Sequence, residues 1–371
     1  MRVLYVSKAL HVAAYRGKLR NLAEHVEVRA VIPHRWGNRP PEPGEDERVE
    51  LRPAILHGHN HLHLYRRPGL PLDSFRPDLV HIDEEPYSAV TAQYVRACVR
   101  RAVPCLFFAW QNIDKTLPAP FPALRRYVFR NVRGGIAGTD EAASVLRAAG
   151  YDGPIAVIPQ FGVDPERFGP DPVSAGALRT QIGARPDDVI VGYGGRLIEE
   201  KGLALLIEAV APLERVRLVM IGAGPMRSLL ERRARAADLH GRVHFLGDVT
   251  SREMPQQLAG LDILALPSLT TPTWKEQFGR VLVEAMACGV PVVGSDSGEI
   301  PQVIGDAGLI VAEGDAAALT QALRQLAETP ATRAELGLRA RKRVLERYTN
   351  DRIAEDTVMF YRDLLGARVA S

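Results

Sequence analysis

Twice along the chain, short runs of aliphatic and β-branched residues alternate with stretches of helical period. The first series is RVLYVS (2–7), VEVRAVIP (26–33), LVHI (79–82, after Asp78), PCLFFAW (104–110), GGIAG (134–138) and IAVIP (155–159). The second is DVIVGYGG, VRLVMIGAG, RVHFLG, LDILALP, VPVVGS and GLIVA, between residues 188 and 312. Near-continuous apolar strands separated by helices indicate a parallel sheet covered on both faces. Between the series lies IPQFGVDPERFGPDPVSAG (158–176), whose Pro, Gly and Asp content reads as a linker. The expectation is an α/β protein of two Rossmann-like domains, 1–168 and 169–349, facing each other across a cleft. A last helix over about 350–368 is expected to pack back on the first domain. Ligands of such sheets bind outside the carboxyl ends of the strands.

A chain of 371 residues is comfortable for two cores, and its net charge of +3 gives no case for nucleic acid. The charge is uneven: residues 1–168 carry 23 Lys+Arg against 18 Asp+Glu, the remainder 24 against 26. Cys98, Cys105 and Cys288 stand in or beside apolar segments without CxxC spacing, as thiols do in a reducing compartment. No run approaches the roughly 18 apolar residues of a membrane span, and MRVLYVSKAL does not read as a signal peptide. The expected location is cytoplasmic, with peripheral contact at an inner membrane face left open. That opening comes from FPALRRYVFRNVRGG (121–135), which sets Phe121, Leu124 and Val128 on one helical face and Arg125, Arg126, Arg130 and Arg133 around the rest. A core-facing helix with a solvated basic side is the favoured reading, and contact with anionic headgroups the other.

Three segments carry candidate chemistry. GYGGRLIEEKG (192–202) ends a strand and opens a helix, so Arg196 and Lys201 project where a fork and a point charge would meet phosphate oxygens. Solvated surface cations are the bland alternative. IGAGPMR (221–227) begins like a dinucleotide fingerprint but has Arg227 at the third glycine position, so a tight strand-to-helix turn is preferred to NAD binding. PTWKEQFGRVLVEAMACGVPVVGSDSGEIPQVI (272–304) places Glu276 and Glu284 eight positions apart around a helix start. Acids favour a first helical turn by themselves, but a helix mouth also binds anions. In HGHNHLHLYRR (57–67), His57, His59, His61 and His63 alternate as on one face of a strand. Without Cys or carboxylate neighbours of ligand spacing they read as an exposed polar stripe, and no metal site is expected.

The ordered set GxGGR…EKG, IGxGP, VHFLGxV, EQFGRVLVE, EAMACGVPVV and SGEIPQVI resembles the family 4 nucleotide-sugar glycosyltransferases of GT-B fold, over most of residues 134–366. The resemblance implies sugar transfer from a nucleoside-diphosphate sugar to an acceptor hydroxyl with retention of anomeric configuration, without metal or other cofactor. It implies that Glu276 binds the donor sugar near its reacting carbon and Glu284 the ribose. Backbone N–H groups around Phe278, Gly279, Arg280, Val281 and Leu282 would meet the diphosphate, together with Arg196 and Lys201. The base would rest near Val249 and the loop at Gly195.

The first domain departs from the family pattern. Arg16-Gly17 stands where many members have a double glycine, so Gly17 is the candidate for approach to the donor phosphate. Trp110, Gln111 and Asn112 stand where many have a histidine, and with Glu84 and Glu85 they are the acceptor-side candidates. The acceptor itself, whether glycan, lipid or small molecule, is not readable. A sugar-nucleotide epimerase of the same fold and a non-catalytic sugar-nucleotide sensor are the alternatives. An NAD-dependent dehydrogenase is disfavoured by Arg227 and by the lack of a catalytic histidine.

Overall fold

The computed structural model describes residues 1–43 and 46–366. It divides into two compact units, Met1–Gly162 with the chain from Asn350 onward, and Val163–Thr349.

The first unit contains β1 (Arg2–Val6), β2 (Glu27–Pro33), β3 (Val49–Arg52), β4 (Ala54–Ile55), β5 (Leu64–Tyr65), β6 (Leu79–Ile82), β7 (Cys105–Ala109), β8 (Gly134–Ala137) and β9 (Ile155–Val157). Seven of these form one sheet in the order β3-β2-β1-β6-β7-β8-β9, every pair parallel. Successive side chains of a strand point to opposite faces, and β1 shows the consequence. Leu4 and Val6 join one core with Val90, Tyr94 and Val95 of α3 (Ala89–Val99), which follows α1 (Gly17–Ala23) and α2 (Gly69–Phe75). Val3 and Tyr5 join the other core, with Leu19 and Leu22 of α1.

The helix Asn350–Gly366 completes that second core through Ile353, Val358, Phe360 and Leu364. At ~1.5–3 kcal/mol per buried aliphatic or aromatic side chain, as an upper bound, these four hold the helix firmly on the sheet. The end of the expected helix, residues 367 and 368, lies outside the described residues. α4 (Phe121–Asn131) buries Val128, with Leu124, Tyr127 and Phe129 against the core, and leaves Arg126 and Arg130 exposed.

Two sequence expectations are corrected here. The segment RWGNRPPEPGEDERVE (35–50), which reads in sequence as a surface loop, is not loop throughout: Val49 and Glu50 begin β3, bonded along β2 at the sheet edge, while residues 44 and 45 lie outside the described residues. The four histidines do not form an exposed stripe on a strand. Residues 57–63 run through turns, His61 is half-buried and His63 has no exposed surface. A turn has no two-residue period, so alternation in sequence does not place these rings on one face.

The second unit contains β10 (Val189–Gly194), β11 (Val216–Ile221), β12 (Val243–Gly247), β13 (Ile263–Leu266), β14 (Val292–Ser295) and β15 (Gly308–Val311), all parallel in the order β12-β11-β10-β13-β14-β15. Chain order therefore runs outward in opposite directions from β10 and β13. In the first unit the same reversal falls between β1 and β6. At such a point the loops leaving two neighbouring strands diverge and open a crevice.

Loop packing at the carboxyl end of β10 and β11 depends on glycine. Gly222 has φ +132°, and a Cβ there would lie 2.0 Å from the Gly195 carbonyl oxygen. Gly222→Ala should therefore destabilise the chain by roughly 2–4 kcal/mol in denaturant unfolding. A change below about 0.5 kcal/mol would mean that the two loops are not locked together.

Candidate functional site

In the second unit the switch point collects the residues singled out in the sequence. Beyond β10, Gly195 (φ +142°) leads to Arg196, which is exposed, and to the 3-10 turn Glu199–Lys201. Beyond β13, the chain passes Ser268 and loops to Glu276. The two branches join where Lys201 Nζ donates to Glu276 Oε2 at 2.5 Å. Ser268 Oγ donates to the same oxygen at 2.8 Å.

The side chains of Lys201 and Glu276 are only 15% and 9% exposed, so this is a largely desolvated ion pair. Removing one partner of such a pair typically costs about 3–5 kcal/mol, because the other charge is left buried. The Trp274 ring lies over the Lys201 ammonium, 5.0 Å from nitrogen to centroid. Trp274 is presented by a tight turn in which the Thr271 N–H donates to its carbonyl at 2.7 Å. Glu313 fixes the root of that turn by accepting from the Thr270 hydroxyl at 2.5 Å.

The loop beyond β14 closes this part of the site. Gly298 (φ +53°) passes so near Glu276 that a Cβ would sit 1.9 Å from its carbonyl oxygen. Ser297 Oγ accepts from the Glu276 N–H at 3.4 Å. Glu276 is thus held from three strands, β10, β13 and β14. Ser268, Trp274, Ser297 and Glu313 were not found from sequence; each acts through a partner distant in the chain, for which the composition of LTTPTW or SDSGE gives no signal.

The helix Arg280–Ala287 begins at Gly279, which takes φ +74° as its N-cap. Only glycine enters this left-handed region at little cost. The first-turn N–H groups here include those expected to face an anion, with one correction. The Leu282 N–H donates to the Gly279 carbonyl at 2.8 Å and so is not an anion donor. The Leu282 and Phe278 side chains are buried, the latter against Tyr348 at 5.7 Å between ring centroids. Val281 is half-buried.

Glu284 lies just over one turn into this helix, and Arg280 Nε stands 2.8 Å from its carboxylate. Burial raises the Glu284 carboxyl above its ordinary range, and Arg280 opposes that shift. Val249 is half-buried in the loop after β12. The glycines of IGAGPMR serve the protein's own backbone: Gly222 packs on Gly195, and a Cβ on Gly224 would lie 2.3 Å from the Leu197 carbonyl oxygen. Arg227 pairs with Glu231 at 3.0 Å.

The switch point of the first unit is as polar. Ser7 Oγ, after β1, donates to Asp83 Oδ2 at 2.6 Å, after β6. Asp83 Oδ1 accepts from Gln160 Nε2 at 2.9 Å, and Gln160 Oε1 accepts from the Trp110 indole N–H at 2.6 Å. Glu84 is buried and pairs with Lys8. Glu85 Oε1 accepts the backbone N–H groups of Trp110 and Gln111 at 2.7 and 3.0 Å. Both glutamates are therefore built into the unit, not solvated loop acids.

Asn112 is buried and donates to Glu141 at 3.2 Å, while Gln111 Nε2 donates to the Ile113 carbonyl at 2.9 Å. Trp110 is half-buried; it packs so closely on Gly138 that a Cβ there would lie 2.2 Å from its ring. Gly17 opens α1 with helical φ (−50°), entered directly from the 3-10 turn Ala13–Arg16 and not from a glycine-rich loop. Sequence reading missed Lys18, which is buried and donates to the Tyr5 hydroxyl at 3.0 Å.

Burial pushes the Glu85 carboxyl up from 4.5 to about 7, against its two N–H bonds, which pull it down. Because the folded chain favours the protonated form, this group's contribution to stability is complete below its unfolded pKa and is lost as pH rises through about 7. Between about pH 5 and pH 8 the wild type should lose about 2.5 kcal/mol more stability than Glu85→Gln, whose amide oxygen still accepts both N–H groups. Urea unfolding at the two pH values measures it, and parallel profiles would contradict it.

Residues 175–343 match the model of the family described as glycosyl transferases group 1. The chain is 33% identical over 212 residues to the GDP-mannose-dependent alpha-(1-6)-phosphatidylinositol monomannoside mannosyltransferase of Mycolicibacterium smegmatis, a match covering 54% of this chain and 55% of that protein. It is 28% identical over 243 residues to the 2-deoxystreptamine glucosyltransferase of Streptomyces kanamyceticus, covering 63% and 60%. The chain thus spans a little over half the length of these curated relatives. Among solved structures it is similar to sucrose-phosphate synthase from Thermosynechococcus elongatus, with TM-score 0.74 and 20% identity over 99% of this chain and 100% of that one. It is also similar to Anabaena HepE in complex with UDP, with TM-score 0.76 and 20% identity over 98% and 100%. The fold is the GT-B fold of these glycosyltransferases.

Proposed function

We propose that the chain is a retaining glycosyltransferase of the family 4 type, moving a sugar from a nucleoside-diphosphate donor to an acceptor hydroxyl. The observation that carries this is the Lys201–Glu276 pair, held at the switch point of the second unit beside the glycine-capped mouth of the helix Arg280–Ala287. That arrangement sets a carboxylate for sugar hydroxyls next to a cation and a helix dipole for phosphate. The family match over residues 175–343 and the UDP bound by a protein of the same fold support the same donor class.

In this reading Arg196, Lys201 and the helix mouth at Gly279 stabilise charge building on the departing diphosphate, an effect worth several kcal/mol at a preorganised site. With the anion met by protein cations and N–H groups, no divalent metal is required. The bond from the anomeric carbon to the β-phosphate oxygen breaks, and the acceptor oxygen bonds that carbon from the same face. The acceptor's proton goes to the departing phosphate oxygen. Glu276, fixed by Lys201 and Ser268, positions the sugar and offsets positive charge developing on it. Glu284, beside Arg280, holds the ribose, and the base rests near Val249. Glu85, Trp110, Gln111 and Asn112 line the acceptor side in the first unit. The buried, unbridged cysteines suit a reducing, cytoplasmic setting.

Turnover of UDP- and GDP-sugars, followed by release of the nucleoside diphosphate, tests this directly. Glu276→Ala should lower turnover by about 100-fold or more while changing nucleoside-diphosphate affinity only a few-fold. Lys201→Ala should weaken that affinity about tenfold or more. EDTA should leave the rate unchanged, and NMR of the product should show the donor's anomeric configuration. Unchanged turnover in Glu276→Ala would overturn the assignment.

A further inference from the structure

Side chains alternate along a strand, so Tyr5 and Ser7 leave β1 on one face of the first unit's sheet. His81 and Asp83 leave β6 on the same face, because Tyr5 stands opposite His81 in the parallel register, with their rings 4.5 Å apart. Two helices cover this face, α1 and the helix Asn350–Gly366, and each sends one polar group onto it. Tyr361 Oη lies 2.6 Å from His81 Nδ1. Lys18, only 2% exposed, donates to the Tyr5 hydroxyl at 3.0 Å, with its ammonium 5.3 Å from the centroid of the Tyr5 ring.

A buried ammonium is costly without a counter-charge. Among the described residues no carboxylate bonds to Lys18 directly. Burial lowers the Lys18 amine from its ordinary range, and the charge on Asp83 opposes that shift. The Asp83 charge also acts on the Tyr5 hydroxyl, which burial keeps protonated. Lys18 and Asp83 are thus opposite charges working across one buried phenol. Apolar residues of similar volume often serve stability as well as a buried charge pair does, so the reason for this one lies in what Asp83 orients.

An ionised carboxylate only accepts hydrogen bonds. Asp83 takes one from Ser7 Oγ at 2.6 Å and one from Gln160 Nε2 at 2.9 Å. The Gln160 amide must then turn its oxygen the other way, where it accepts the Trp110 indole N–H at 2.6 Å. The reversed amide would face oxygen against carboxylate and NH2 against indole N–H. Its direction is therefore set by a charge and not by shape.

We propose that Lys18 is the positioning residue of this relay: acting through Tyr5, Asp83 and Gln160, it holds the Trp110 indole in one orientation. That Trp110 serves the acceptor rests on the transferase reading above; the coupling of Lys18 to Trp110 does not. Direct acceptor groups such as Gln111 and Asn112 stand beside a ring whose N–H is tied inward, which leaves the ring itself as a fixed platform.

NMR of the full chain with ¹⁵N-labelled tryptophan tests this. The chain has three tryptophans, Trp36, Trp110 and Trp274, and loss of one signal in Trp110→Phe identifies the second. Lys18→Met keeps the stem and removes the charge. It should move the Trp110 indole proton upfield and speed its exchange with solvent about tenfold, leaving the Trp274 signal in place. Asp83→Asn, whose amide can donate to Gln160, should do the same. Tyr361→Phe removes a polar group from the same face without removing a charge and should leave the Trp110 signal where it is. Circular dichroism melting controls for folding, and Lys18→Gln replaces Lys18→Met if that variant melts early. A Trp110 signal untouched by loss of the Lys18 charge would overturn the proposal. So would an equal shift in Tyr361→Phe, which would assign the effect to packing. No sugar donor enters the measurement, so its outcome is separate from that of the turnover test.

Discussion

The pairing of Lys201 with Glu276 is the contact on which the second unit's candidate site is organised. It joins the loop beyond β10 to the loop beyond β13, the two strands from which chain order runs outward in both directions. A parallel sheet wound this way must part its loops at that point. Ser268 and Ser297 secure Glu276 from its sides, and Trp274 covers the ammonium. The first unit uses the same device with different residues. Ser7 and Asp83 meet across β1 and β6, and a run of hydrogen bonds continues through Gln160 to the Trp110 indole.

Both switch points keep charge in largely buried positions, which is costly unless partners remain in place. Lys201, Glu276, Lys8 and Glu84 are each satisfied by an opposite charge. Such groups are pre-oriented before any ligand arrives, so a ligand meets fixed dipoles instead of mobile water. Glycines serve the same end through the backbone. At Gly222, Gly224, Gly279 and Gly298, a close approach or a left-handed φ excludes a side chain.

The strands were legible because a parallel sheet buried on both faces demands unbroken aliphatic runs, and VLYV, AVI, LFFA and VIVG supply them. β3 was not, because VELR at a sheet edge is half polar and looks like the loop before it. The histidines at 57–63 misled because alternation in sequence only means a shared face if the backbone is extended. At the site, Glu276, Lys201 and Gly279 were legible through an ordered set of motifs. Their fixing partners were not, since Ser268 and Ser297 reach Glu276 over separations of 8 and 21 residues. The Leu282 N–H was assigned to an anion because sequence does not reveal that the first bond of the helix closes back on Gly279.

The proposed transferase site requires the second unit to bind a nucleoside diphosphate through Arg196, Lys201 and the helix mouth at Gly279. A thermal-shift titration of wild type and Arg196→Ala with UDP, GDP, ADP and NAD tests it most directly. A ligand at a hundredfold excess over its Kd stabilises the folded chain by about 2.7 kcal/mol, which shifts Tm measurably. At least one diphosphate should raise the wild-type Tm, and Arg196→Ala should lose most of the effect. A shift with NAD alone, equal in both proteins, would contradict it.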